Sequence, residues 1–170
     1  ELAYRQGNYS DAANYYKKAA DLNPNSAEAN TNMGLLSLIN GDKDAAATYL
    51  AKGTGAKTLN EALGNLYVAQ GQYDRAVNSF GDTASNSAAL AQILSKNYSA
   101  ASTTLSNIKN ADAYTSYLKA IVGARTNDAS AVVNNLKEAI GKNSTLAKRA
   151  AKDLEFVKYF TSSDFQSLVK

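Results

Sequence analysis

A chain of 170 residues carrying a net charge of +3, with no cysteine, no histidine and no tryptophan, is cut off from several kinds of chemistry at once. Zinc sites of the Cys/His type, thiol nucleophiles and any dyad or triad that uses histidine as base are excluded, so no cofactor or metal is expected. An alanine-rich apolar content, a single proline and 11 tyrosines against 4 phenylalanines point to an all-α chain built on small-residue helix contacts with tyrosines at their margins.

The chain starts at Glu1 without a methionine, and Glu1 to Gln6 supply less than half of a helix before Gly7. An upstream extension is therefore expected. Three stretches then share one frame: GNYSDAANYYKKAADLNPNS from Gly7, GDKDAAATYLAKG from Gly41 and GQYDRAVNSF from Gly71. Two residues after the glycine stands Tyr9, Lys43 or Tyr73, five after it Ala12, Ala46 or Ala76, and nine after it Tyr16, Leu50 or Phe80. This spacing predicts a helical hairpin. Glycine leaves one helix in a left-handed turn, alanine lets the next helix pack closely, and the large residue four further on covers the seam. Upstream of Gly41 and Gly71, AEANTNMGLLSLIN and TLNEALGNLYVAQ carry apolar residues at three-to-four spacing, with Gly34 and Gly64 at matching places. They are the first helices of their pairs.

Between these units, AKGTGAKTLN invites a nucleotide reading. A phosphate loop needs G-x-x-x-x-G-K-[ST] between a strand and a helix. Counting back from Lys57, Ala56 and Ala51 occupy both glycine places, and what precedes is helical in pattern. No nucleotide is expected there; Gly53 to Lys57 reads as a shortened second helix with a glycine stop.

Beyond residue 81 the frame weakens. KNYSAASTTL from Lys96 keeps the tyrosine, Ala101 and Leu105 but has lysine in place of glycine, and NDASAVVNNLKEAIGKN from Asn127 keeps Leu136, Ala139 and Ile140. Turns are expected at Gly7-Asn8, Gly41-Asp42, Gly71-Gln72, Lys96-Asn97 and Asn127-Asp128. Their intervals are 34, 30, 25 and 31 residues, which predicts shorter helices in the later units. The units are drawn as 1–26 (partial), 27–56, 57–81, 82–111 and 112–143. The remaining segment, 144–170, reads as a helix from Ser144 followed by Leu154, Phe156, Phe160, Phe165 and Leu168, a cap over the end of the array. The basic cluster Lys142, Lys148, Arg149 and Lys152 has Asp153 and Glu155 close by and reads as a solvated helix face, not a nucleic-acid surface. No apolar run approaches the roughly 20 residues of a membrane span.

Met33-Gly34, Leu63-Gly64-Asn65-Leu66-Tyr67, the recurring Gly-x-Tyr-x-x-Ala and Leu22-Asn23-Pro24-Asn25 resemble tetratricopeptide repeats. The resemblance implies a right-handed superhelix of antiparallel helix hairpins with degenerate later repeats and a C-terminal capping segment. It also implies a non-enzymatic scaffold that binds a peptide or partner protein in a concave groove lined by first helices. Asn65 matches the asparagine that in this family often bonds a bound peptide's backbone, and its amide can both donate and accept. In the frame, Thr31, Leu35, Glu61, Asn65, Val68, Tyr117 and Ile121 are expected to share that groove. The cations of a carboxylate-clamp repeat are absent from faces that offer Glu28, Thr31, Glu61 and Asn65, so an acidic chaperone tail is a poor ligand.

An alternative is a glycan-binding lipoprotein segment of the starch-utilisation type, against which the lack of tryptophan counts. An enzyme would rest on carboxylates alone, and Asp42/Asp44 and Asp153/Glu155 read as turn or surface pairs. The closing sequence AAKDLEFVKYF is similar to tetratricopeptide segments of Bacteroidetes-type cell-envelope proteins, which implies a periplasmic or outer-membrane-associated place. Finally, an incomplete first hairpin is expected to expose Leu2, Tyr4 and the apolar side of AANYY, a route to self-association.

Overall fold

The computed structural model describes residues 14, 15, 17, 18, 21, 22, 27–52 and 56–170. Among the described residues there is no strand. The chain divides into two compact units, Glu1–Gln70 and Gly71–Lys170. In the first lie α1 (Ala27–Ile39), α2 (Lys43–Lys52) and α3 (Ala56–Ala69). In the second lie α4 (Tyr73–Phe80), α5 (Asn86–Leu94), α6 (Tyr98–Ser106), α7 (Ala113–Arg125) and α8 (Ala129–Lys142), then a short α9 (Leu146–Ala150), a 3-10 helix η1 (Leu154–Tyr159) and α10 (Ser163–Val169).

The turns form where the repeat frame places them, and by the same chemistry. Gly41 and Gly71 take positive φ of 82° and 73°, and the two non-glycine turn residues, Lys96 and Asn127, do the same at 65° and 58°. Around them the chain closes in Schellman fashion: Asp42 N donates to Ser37 O (2.8 Å), Asn97 N to Gln92 O (2.8 Å) and Asp128 N to Gly123 O (2.8 Å). At three of these turns the residue after the left-handed one then caps the next helix with its side chain. Asp42 accepts from Ala45 N (3.0 Å), Asn97 from Ala100 N (3.3 Å) and Asp128 from Ala131 N (3.0 Å). The turn expected at Gly7-Asn8, the edge built on Leu2, Tyr4 and AANYY, and the glycines at 53 and 55 lie outside the described residues. The element preceding those glycines is a helix, α2.

Packing follows the same frame. The positions five residues past each turn, Ala46, Ala76, Ala101 and Val132, are buried, as are those nine past it, Leu50, Phe80, Leu105 and Leu136. Within the first unit α1 and α2 pack as a hairpin, and Gly34 is what lets them meet: a Cβ there would strike the Leu50 side chain. The matching place before Gly71 keeps glycine, Gly64, while those before Lys96 and Asn127 hold alanines, Ala89 and Ala120, both fully buried.

Where the last hairpin replaces alanine with Val132, the facing helix has thinned instead. A Cβ on Gly123 would lie 2.9 Å from Ala131 Cβ and 3.1 Å from Val132 N. The expectation of shorter helices holds for α4, α5 and α6, which have 8, 9 and 9 residues. It fails for α7 and α8, which return to 13 and 14, the turn at Asn127 being the one break between Asp112 and Lys142.

Candidate functional site

Thr31 and Leu35 lie four apart on α1 and so share a stripe of it, and Glu61, Asn65 and Val68 share a stripe of α3. These two helices touch within the first unit. Asn65 is exposed, while Thr31, Leu35, Glu61 and Val68 are half-buried. The Thr31 hydroxyl oxygen is shielded from solvent and has no hydrogen-bond partner among the described residues. Being buried, that hydroxyl offers no surface to a ligand; the accessible groups of the two stripes are the exposed Asn65 and the half-buried Leu35, Glu61 and Val68.

Tyr117 and Ile121 stand elsewhere. They lie on α7 in the core of the second unit, 0% and 7% exposed, and neither presents a surface to a ligand. The reason is the closing segment. The Tyr117 ring meets Phe156 of η1 edge-on at 5.5 Å and stacks with Tyr114 at 6.3 Å, and its hydroxyl donates to Asp153 Oδ2 (2.6 Å). The Arg149 guanidinium sits over both rings, 5.0 Å from Tyr117 and 5.5 Å from Tyr114. Burial first, then the bond to Asp153, hold the Tyr117 phenol well above its usual range. Phe156 continues to Phe165 (5.9 Å) and Phe165 to Phe160 (5.8 Å). The face of the last first helix is thus covered by the chain's own end.

Two features of this cap escaped sequence reasoning. Arg125 forks onto Glu155, Nη2 to Oε1 (2.6 Å) and Nε to Oε2 (2.9 Å), and sends Nη1 to the Ile93 carbonyl (3.1 Å). One guanidinium thereby ties η1 to the ends of α5 and α7. At the other end of α7, Asp112 and Thr115 form a capping box, and Asn86 bridges to both, donating to Asp112 Oδ1 (3.1 Å) and accepting from Thr115 Oγ1 (2.8 Å). The backbone N–H of Thr115 is the main cause of a lowered Asp112 pKa. The spacing D-x-x-T at Asp112 was the available signal for this cap; the contribution of Asn86 had none. Asp153 and Glu155, considered as a carboxylate pair, are each engaged inward, Asp153 by Tyr117 and the Glu155 N–H (3.0 Å) and Glu155 by Arg125.

Stacked helical hairpins with a shared turn, a shared small-residue contact and an end cap define a helical repeat protein. Residues 1–58 match one model of the tetratricopeptide repeat and residues 58–85 match a second, and the chain belongs to the tetratricopeptide repeat family. No curated protein sequence matches it. No helix among the described residues is long and apolar enough to cross a membrane. Arrays of this family are surfaces for protein partners, so in its broad class the chain is an interaction scaffold.

Proposed function

We propose that the chain binds an extended, mostly uncharged peptide or partner segment along the first helices α1 and α3. The observation that carries this reading is the composition of the stripes on two touching helices: half-buried Leu35 on one, and the exposed Asn65 amide with half-buried Glu61 and Val68 on the other. A peptide backbone offers a donor and an acceptor at every residue, which suits an exposed amide that can do both. The lack of a cationic clamp on these stripes favours a neutral segment over an acidic tail. Tyr117 and Ile121 drop out of the proposed surface because the cap occupies their face. The reading is non-enzymatic, with no nucleotide and no nucleic acid as partner.

Selecting peptides from a random library on the full chain, and repeating with Asn65→Ala and Leu35→Glu, tests it. Loss of one buried hydrogen bond costs about 1–3 kcal/mol, so Asn65→Ala should weaken a selected peptide roughly five- to hundredfold. Unchanged binding by both variants, or recognition of glycans on an array in place of peptides, would overturn the reading.

A further inference from the structure

Asn40 and Gly41 form the only Asn-Gly pair in the sequence. The pair makes the turn between α1 and α2, where Asn40 is exposed and its side-chain amide has no hydrogen bond among the described residues. Gly41 holds the left-handed conformation at φ 82°, and a Cβ built on it would meet nothing within 4 Å. Nothing among the described residues therefore packs over the glycine. The turn is held by its own backbone bonds, Asn40 N to Leu36 O (3.0 Å), Gly41 N to Leu38 O (3.0 Å) and Asp42 N to Ser37 O (2.8 Å).

An asparagine followed by glycine cyclises more readily than one followed by any other residue, because a residue without Cβ leaves the approach of its backbone nitrogen unhindered. The Gly41 nitrogen, deprotonated by hydroxide, adds to Asn40 Cγ. The Cγ–Nδ2 bond breaks, Nδ2 takes up a proton and leaves as ammonia, and a five-membered succinimide closes. Water then opens the ring. Breaking the bond from Gly41 N to Cγ returns an ordinary aspartate, and breaking the bond from Gly41 N to the Asn40 carbonyl carbon gives isoaspartate, whose main chain runs through Cγ. No oxidant or reductant enters. In the closed turn the attacking nitrogen donates to Leu38 O, so the reaction waits for the turn to open locally. The turn after α3 is the internal comparison: Gly71 takes the same conformation at φ 73° but follows Gln70, whose longer side chain would have to close a six-membered ring and does so far more slowly.

We infer that Asn40 is a site of spontaneous isoaspartate formation, timed by the opening of the α1–α2 turn, and that its product unfastens this hairpin. Isoaspartate inserts a main-chain methylene between the acceptor at Ser37 and the donor at Asp42, so the closing bond of the turn loses its register. It also places a carboxylate at the C-terminal end of α1, where the helix dipole disfavours negative charge. That carboxylate stands two residues from Asp42, which caps α2 through Ala45 N. The site belongs to the turn and stands or falls independently of the peptide surface proposed on α1 and α3.

The test is to age the folded full chain in mildly alkaline buffer, digest it with trypsin and follow every asparagine by electron-transfer mass spectrometry, which tells isoaspartate from aspartate. Asn40 is expected to convert several-fold faster than any other asparagine, and Asn40→Gln to abolish the product. Urea below the unfolding transition should speed the conversion, and the urea-unfolded chain should react fastest. Aged protein carrying isoaspartate at position 40 should melt at a lower temperature than freshly prepared Asn40→Asp, which adds the charge without lengthening the main chain. Asn40 is exposed, and circular dichroism identical to that of the parent establishes that both variants fold. Three results would each overturn the inference: Asn40 intact when other asparagines have reacted, conversion as fast in the folded chain as in the urea-unfolded one, or isoaspartate-bearing protein that melts as Asn40→Asp does.

Discussion

Lys96 shows how far a repeat can drift at one residue while keeping its backbone. It occupies the place of Gly41 and Gly71 and adopts their left-handed conformation, at φ 65°, although a Cβ there costs roughly 1–2 kcal/mol. Lys96→Gly should therefore stabilise the protein by about 1 kcal/mol. The gain is to be read from the urea midpoint at constant m-value; no gain would mean that the lysine side chain offsets its own strain. Asn127, a residue that tolerates this region, should gain less from the same change.

Tyr117 offers a second residue-scale prediction, with a pH signature. Its folded-state pKa is raised, so the neutral phenol is the species the fold favours. Below pH about 10 the phenol is neutral in both folded and unfolded chains and its contribution is complete. As pH rises past about 10 the unfolded chain loses the proton first and stability falls until the folded phenol ionises. Tyr117→Phe should cost about 1–3 kcal/mol at neutral pH, because Asp153 loses a donor. It should also flatten part of the alkaline decline. Urea midpoints measured across the alkaline range for both proteins check this, and an equal decline in each would assign the alkaline loss to other groups.

Between elements, the decisive quantity is how closely two helices can approach. Gly123 faces Ala131 and Val132 across the α7–α8 contact, where even a methyl lies inside normal contact distance. Gly123→Val should destabilise by about 1–3 kcal/mol through overpacking. Gly141, on α8 itself, is the control. A Cβ there meets nothing within 4 Å, so Gly141→Ala should stabilise by about 0.5–1 kcal/mol from helix propensity alone. Thermal unfolding of the two variants should therefore move in opposite directions. A common direction would mean that α7 and α8 adjust their spacing freely.

For the molecule as a whole, the cap does two jobs with one set of residues. Phe156 and Phe165 complete the core of the second unit, and the Arg125–Glu155 fork fixes where η1 lies on it. A solenoid end left uncovered exposes apolar surface. Ending the chain at Asn143 should leave the helices of the second unit largely formed but with fluid packing and strong ANS fluorescence. An unchanged, cooperative transition without dye binding would show that α7 and α8 close their own core. The same cap decides which repeats are open to partners, since it covers Tyr117 and Ile121 while α1 and α3 keep Thr31, Leu35, Glu61, Asn65 and Val68 at or near the surface.

By itself the sequence determined the hairpin frame, down to degenerate copies in which glycine had become Lys96 and Asn127. The reason is that the frame is written in local chemistry: a left-handed residue at the turn, a small residue at the fifth position and a large one at the ninth. Each of these acts within one helical turn or across one hairpin, and repetition raises the signal. The tertiary structure alone decided what covers a face once the hairpins have formed. Periodicity says that Tyr117 and Ile121 share a stripe of α7, but not that Phe156, 39 residues past Tyr117, returns to lie against it. It places Leu154 among the apolar residues of the closing segment without telling that η1 turns it outward and Phe156 inward. Nor could it pair Arg125 with Glu155, 30 residues apart, because a long-range ion pair leaves no spacing rule in the chain.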